Sequence, residues 1–259
     1  MNQIRMIAEE MIRSRFAVAL TGAGISTASG IPDFRGPSGI WKTFDPSLFH
    51  ISYFMKDPMS SWKLFVEKMY DTIKKAKPNI SHYALSRLEE MGVIKGVITQ
   101  NIDDLHRKAN TKEVIELHGN INFSICTQCG RRFNIEESIK EVRANRVPLC
   151  PYCGGLIKPD VVFFGEPLND ETLRRAYDFA SKSDLFLVLG SSLSVSPANQ
   201  LPIVAKSNGA KLIIINAGPT EFDPYADIRV EGRVEEVFPR ICKLVEEMIA
   251  SKSGICDYD

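Results

Sequence analysis

Apolar residues in this chain fall into short runs, at 16–20, 97–99, 114–117, 185–189 and 212–215. Runs of that length without polar alternation predict strands of a parallel sheet covered on both faces. Between them the period changes. Residues 81–91 and 171–181 read as helices, and in 235–249 Val237, Phe238, Ile241, Leu244, Val245 and Met248 share one helical face. Near the start, Ile4, Ile7, Met11 and Ile12 have helical spacing interrupted by charges, the pattern neither of a signal peptide nor of a membrane span. Strands alternating with helices predict an α/β fold on a doubly wound parallel sheet.

Two stretches break the rhythm. Residues 37–78 are rich in aromatics and Met and contain Pro46, Pro58 and Pro78, while 120–156 holds paired cysteines. Both read as insertions that build a smaller lobe. The expected division is a discontinuous large unit, 1–37, 79–119 and 157–259, with 38–78 and 120–156 forming the small lobe. A cleft is expected between them, where strand ends meet loops.

Composition narrows the classes. Of 259 residues, 44% are hydrophobic, enough for a substantial core, and 32 basic residues balance 32 acidic ones. There is no basic excess of the kind nucleic-acid binding draws on, and no acidic tail. Four of the six cysteines form Cys126-x-x-Cys129 and Cys150-x-x-Cys153, separated by the 20 residues 130–149. In a reducing compartment this spacing predicts a zinc ribbon, with redox pairs or idle thiols as the alternative. Four thiolates leave no open coordination position, so the metal is expected to be structural. Cys242 falls on the apolar face of the last helix, and Cys256 in a polar tail. A soluble, cytoplasmic protein is expected.

The first strand runs into TGAGISTASGIPDFRG at 21–36. Gly22-x-Gly24 begins like a dinucleotide fingerprint, but Thr27 holds the third glycine position and no second strand with a terminal acid follows. A tight turn before a helix is the plain alternative. Small residues at 22–26 would let backbone amides approach phosphate, Arg35 could pair with it, and Phe34 adds a flat wall. The other polar clusters also follow apolar runs: Gln100, Asn101 and Asp103; His118; Gly190, Ser191 and Ser192; Asn216. In parallel sheets that edge holds ligands, although Asn, Asp and Ser equally cap helices and make turns. A neutral histidine there could serve as a base near pH 7, and no GxSxG or Walker A sequence offers another nucleophile or phosphate loop.

GAGIS at 22–26, GIPDFR at 30–35, TQNID at 99–103, HG at 118–119, both CxxC pairs, FGE at 164–166, GSSL at 190–193 and Asn216 follow one another in an order that resembles a sirtuin, an NAD-dependent protein-lysine deacylase of prokaryotic type. The resemblance implies a Rossmann-like large domain, and a small lobe made of a zinc-ribbon module and a helical insertion. It implies NAD in the cleft, held by Gly22, Ala23, Gly24, Thr27, Asp33, Phe34 and Arg35. Gln100 and His118 would meet the nicotinamide-side ribose. Asn101, Ile102 and Asp103 would shape the nicotinamide pocket, and Gly190, Ser191, Ser192, Asn216 and Val234 would serve the adenosine half. VVFFGE at 161–166 and LSVSP at 193–197 resemble the two edges that clamp an acylated-lysine peptide as an added strand, with Val162, Phe164, Gly165, Glu166 and Val195 in contact. Asp104 stands where many relatives have glycine. The Tyr-x-x-Arg pair of succinyl-preferring relatives is missing between Trp41 and Pro78, which points to acetyl or another neutral acyl group.

The chemistry so implied begins with attack of the acyl oxygen on the sugar carbon that carries nicotinamide. His118 and Asn101 are the expected catalytic residues, with His118 taking a proton from a ribose hydroxyl. The products are nicotinamide, O-acyl-ADP-ribose and free lysine. Mono-ADP-ribosyl transfer to protein, or a non-catalytic NAD sensor built on the zinc module, are the alternatives. No nucleic-acid or membrane partner is expected.

Overall fold

The computed structural model of the chain describes residues 2–33, 39 and 45–252; Phe34 and Arg35 lie outside the described residues. Its strands are β1 Ala17–Thr21, β2 Ile94–Thr99, β3 Val114–Glu116, β4 Gly119–Cys126, β5 Arg132–Asn134, β6 Ile157–Val161, β7 Leu185–Leu189, β8 Lys211–Asn216 and β9 Ile228–Glu231. Six of them pair in parallel in the order β3-β2-β1-β7-β8-β9.

Successive residues of a strand face opposite ways, so β1 sends Ala17 and Ala19 into one core and Val18 and Leu20 into another. Helices Asn2–Arg13, Ile80–Glu90 and Val234–Lys252 close the first core with Ile7, Met11, Leu85, Leu88, Phe238 and Ile241. Helices Asp170–Lys182 and Leu201–Ser207 close the second with Ala176, Ala180, Leu201 and Ala205. A sheet covered on both sides accounts for the unalternating runs. Each fully buried Leu or Ile contributes about 1.5–3 kcal/mol.

Helix Ile80–Glu90 begins one residue before the sequence reading, because Asn79 caps it: its side chain accepts the Ser81 N–H, and its own N–H donates to His82 Nδ1 at 3.3 Å. β9 was not predicted; its four residues, IRVE, alternate apolar and charged side chains at the sheet edge.

The remaining strands form an antiparallel sheet, β5-β4-β6. The sequence reading returns the chain to the large unit at 157, whereas Ile157–Val161 pairs with β4. Helix Pro58–Phe65 packs on this sheet and helix Ile51–Lys56 packs against that helix. Phe54, Trp62 and Phe65 join Ile121, Ile139 and Ile157 in one core, and Trp62 Nε1 donates to the Ile157 carbonyl at 2.9 Å.

Gly119, where β4 begins, has φ +82°, and a Cβ there would lie 2.1 Å from the Asp160 carbonyl oxygen. Gly119→Ala is expected to destabilise the fold by about 2–4 kcal/mol in denaturant titration. Gly209→Ala is the control, because Gly209 has φ +95° with open space around it, and only the left-handed backbone cost of about 1–2 kcal/mol applies. Equal losses in the two variants would contradict the steric account.

Candidate active site

A cavity of about 1230 Å³ opens at the carboxyl ends of the parallel strands. The strand order reverses between β1 and β7, the position where open α/β sheets leave a crevice. Its floor is two loops in unusually close contact. A Cβ at Gly24 would lie 2.8 Å from both the Cα and the carbonyl oxygen of Gly190, and a Cβ at Gly22 would lie 2.8 Å from that same oxygen. The Gly24 N–H donates to the Gly190 carbonyl at 2.9 Å and the Gly22 N–H to that of Leu189 at 3.1 Å. The Ile25 and Ser26 amides are also taken, by the carbonyls of Gly22 and Ala23. This corrects one expectation: the glycines serve loop–loop contact, and these four amides are not free for phosphate.

Every described residue that the sequence assigns to NAD or peptide contact lines this cavity: Gly22, Ala23, Gly24, Thr27, Asp33, Gln100, Asn101, Ile102, Asp103, His118, Gly190, Ser191, Ser192, Asn216 and Val234, with Val162, Phe164, Gly165, Glu166 and Val195. Apolar wall comes from Phe49, Met69, Ile73 and Phe163.

His118 follows β3 and precedes β4. Its Nδ1 lies 2.8 Å from the Gln100 carbonyl oxygen. A carbonyl only accepts, so Nδ1 carries the proton and Nε2 keeps its lone pair. Burial pushes the imidazole below its ordinary value, with the Gln100 bond opposing. The ring is therefore neutral at pH 7, with its unprotonated nitrogen free to accept a proton. Gln100 also donates from Nε2 to Ser191 Oγ at 2.7 Å, linking the loops after β2 and β7.

Beneath this lies a buried polar network. Asn101 Nδ2 donates to the Gly22 carbonyl at 3.1 Å and to Ser26 Oγ at 3.2 Å. Ser26 Oγ donates to Asp103 Oδ2 at 2.6 Å, and Asp103 Oδ1 caps the Leu105 N–H. Burial raises the Asp103 carboxyl despite these donors.

At the opposite rim, β6 ends at Val161, so the 161–166 segment is only in part a strand. The Phe164 N–H donates to the Phe49 carbonyl and its carbonyl accepts from the Ile51 N–H, which fastens this rim to the helical insertion. The amides of Val162 and Glu166 bond to the carbonyls of His118 and Phe163, and the Phe163 N–H to Glu166 Oε2. Glu166 also pairs at 3.0 Å with Lys158, a buried lysine that donates to the Pro159 and Val161 carbonyls.

A Sir2 family model matches residues 22–197. The NAD-dependent protein deacetylase 1 of Pyrobaculum aerophilum is 50% identical over 248 residues, covering 96% of this chain and 97% of its own length. The chain belongs to the Sir2 family. A solved Sir2 structure with a deacetylated peptide and 3'-O-acetyl ADP ribose is 42% identical, with TM-score 0.87 and coverage of 97% and 98%. Another, of Sir2 with a peptide and NAD+, is 40% identical, with TM-score 0.84 and coverage of 97% and 99%.

The Sir2 chain also carries a metal-ready cluster. The sulfurs of Cys126, Cys129, Cys150 and Cys153 all lie within 4.8 Å of one another, with 3.5 Å between Cys126 and Cys153 and 3.7 Å between Cys129 and Cys150. A tetrahedron of thiolates around zinc at about 2.3 Å has edges of about 3.8 Å, so the quartet fits zinc and is far from disulfide distance. N–H groups of Cys129 and Gln128 point at the Cys126 sulfur and hold its thiol below its ordinary value. Cys242 is buried, and burial pushes its thiol up to about 11, as suits inert core.

Two polar residues escaped the sequence reading. Ser26 joins Asn101 to Asp103, and His82, fully buried, lies 3.5 Å from Ser26 Oγ and packs at a tilt of 58° against His106, with ring centroids 4.9 Å apart. His106 Nε2 in turn meets Thr21 Oγ1 at 2.9 Å, as part of the interior.

Chelating the metal is expected to lower the melting temperature and open the β5-β4-β6 sheet to proteolysis; an unchanged melting curve in verified metal-free protein would contradict a structural zinc. Burial pushes His82 down to about 4. The unfolded chain takes up a proton near pH 6.5 and the folded one does not, so stability falls as pH drops from 6.5 towards 4. His82→Gln is expected to lose about 2–3 kcal/mol less than wild type between pH 7 and 4.5. Parallel pH profiles would show that His82 is not the group responsible.

Proposed function

We propose that this protein removes acyl groups from lysine side chains of proteins, consuming NAD and one water and releasing nicotinamide, O-acyl-ADP-ribose and free lysine. The observation that carries the reading is His118, neutral and tautomerically fixed by the Gln100 carbonyl, on the wall of a cavity formed where two glycine loops meet. NAD supplies a ribose carbon activated by its nicotinamide leaving group.

The chain's residues then take the following parts. Ala23, Thr27 and Asp33, with Arg35 and Phe34 beyond the described residues, hold the pyrophosphate and neighbouring ribose. Gly190, Ser191, Ser192, Asn216 and Val234 take the adenosine half. Asn101, with its amide nitrogen committed to the cavity floor, keeps Oδ1 as an acceptor. Together with Ile102 and Asp103 it shapes the nicotinamide pocket. His118 Nε2 accepts a proton from a ribose hydroxyl and so frees a neighbouring sugar oxygen to attack the acyl carbon. A base so placed typically adds about 10²–10⁴-fold.

The acylated peptide adds as a strand between the rims at Val162–Glu166 and Val195. Most amides of the first rim are already bonded inward, so the peptide pairs chiefly with Gly165 N–H and exposed carbonyls. Glu166 acts by holding the rim through Lys158. The apolar wall of Phe49, Met69, Ile73 and Phe163 suits acetyl or another neutral acyl chain. Among the described residues no helix is long and apolar enough to cross a membrane. A thiolate metal site suits a reducing compartment, and we place the protein in the cytoplasm.

His118→Ala is expected to lower kcat on acetyl-lysine peptide by about 10²-fold or more, while NAD binding by calorimetry stays within about threefold. Full activity in that variant would remove the assigned base. Label from NAD appearing on protein with the acyl-lysine intact would favour ADP-ribosyl transfer instead.

A further inference from the structure

We propose that Asp104 is a positioning residue that latches the cavity loop 100–103 to β4, and through that latch sets the affinity for NAD. The inference rests on the functional reading above and extends it to a residue outside the cavity. Asp104 sits in the left-handed region, φ +64° and ψ 10°. Few residue types adopt that backbone readily; glycine does so with least cost, and Asp and Asn are the next most tolerant.

The side chain supplies what glycine would lack. Asp104 Oδ2 accepts from Asn122 Nδ2 at 2.8 Å, and Oδ1 accepts from Asn120 Nδ2 at 3.1 Å. Between those two asparagines, the Ile121 N–H donates to the Ile102 carbonyl at 2.9 Å. Three consecutive residues of β4 thus grip the loop that carries Asn101, Ile102 and Asp103. The same Asn120 amide donates to Glu116 Oε1 at 2.6 Å, and Glu116 pairs with Arg107 at 3.5 Å, so the strand side of the latch is itself braced.

The geometry gives the latch its consequence. β4 starts directly after His118, whose Nδ1 is bonded to the Gln100 carbonyl. The loop is therefore held at its first residue by His118 and just past its last by Asp104, with both holds leading into β4. Loss of the Asp104 end leaves Ile102 with only the Ile121 N–H, and Asp103 with only Ser26 Oγ and the Leu105 N–H, so the loop is held more loosely against β4 while the His118 end stays fixed. Ground-state binding of NAD should suffer, and the proton transfer at His118 should not.

The test compares Asp104→Gly, Asp104→Asn and Asn122→Ala with wild type. Amide hydrogen exchange is read on the free, metal-loaded protein, and kinetics are read with acetyl-lysine peptide and NAD. In Asp104→Gly the backbone conformation is kept and the acceptor lost. Exchange in 100–104 should rise about tenfold and KM for NAD about tenfold, equivalent to about 1.4 kcal/mol, with kcat within about twofold. Asp104→Asn tolerates the same backbone and keeps one acceptor oxygen, so it should recover part of both effects. Asn122→Ala leaves the Asp104 backbone untouched and should move both in the same direction by less. Unchanged exchange in both Asp104→Gly and Asn122→Ala would overturn the latch, and faster exchange with an unchanged KM would overturn its role in positioning. Wild-type protein that fails to turn over acyl peptide with NAD would sink the functional reading alone, since the exchange measurement needs no NAD.

Discussion

Gly24 and Gly190 press their backbones together so closely that neither has space for a side chain. The contact joins the loop after β1 to the loop after β7 at the one place where the strand order reverses. Without it the two loops would each need their own packing, and the crevice between them would fill with side chains. With it, the ends of β1, β2 and β7 share a floor, and a large cavity can exist above a densely packed sheet. The glycines are thus first a packing device, and only through the space they preserve a binding device.

The polar groups above that floor behave as a unit because they share one low-dielectric setting. Burial pushes Asp103 up and pushes His82, His106 and His118 down. Each shift favours a neutral or less charged group. For His118 that is the state a base requires, and the Gln100 carbonyl decides which nitrogen is available. The zinc quartet contributes at a distance. It closes the sheet whose central strand, β4, starts beside His118 and runs to Cys126.

Much of this was legible in the sequence, for identifiable reasons. The five apolar runs are legible because both faces of the sheet are covered, so no polar–apolar alternation breaks them, and only Glu116 and Thr99, at the carboxyl ends of β3 and β2, are polar. The cysteine quartet is legible because metal geometry dictates its spacing. The polar clusters were legible as a set, each following a strand. Less accessible was anything whose chemistry hides in an ordinary local pattern. Asn79-x-x-His82 looks like any helix start, and only the tertiary fold brings His82 to Ser26. IKPDV at 157–161 looks like a loop because it contains Lys, Pro and Asp. It is a strand by its pairing with β4, and Lys158 tolerates burial there because two carbonyls and Glu166 partner its ammonium. The amides at 22–26 looked free because a sequence does not show which carbonyl lies opposite.

The central claim is that His118 is a neutral imidazole, protonated on Nδ1 towards Gln100 and open on Nε2. Nitrogen-15 NMR of histidine-labelled protein, titrated from pH 8 to pH 5, tests it most directly. The account predicts the Nδ1–H tautomer for His118 at pH 7, with a midpoint below 6.5. An Nε2–H tautomer, or an imidazolium persisting above pH 7, would contradict it.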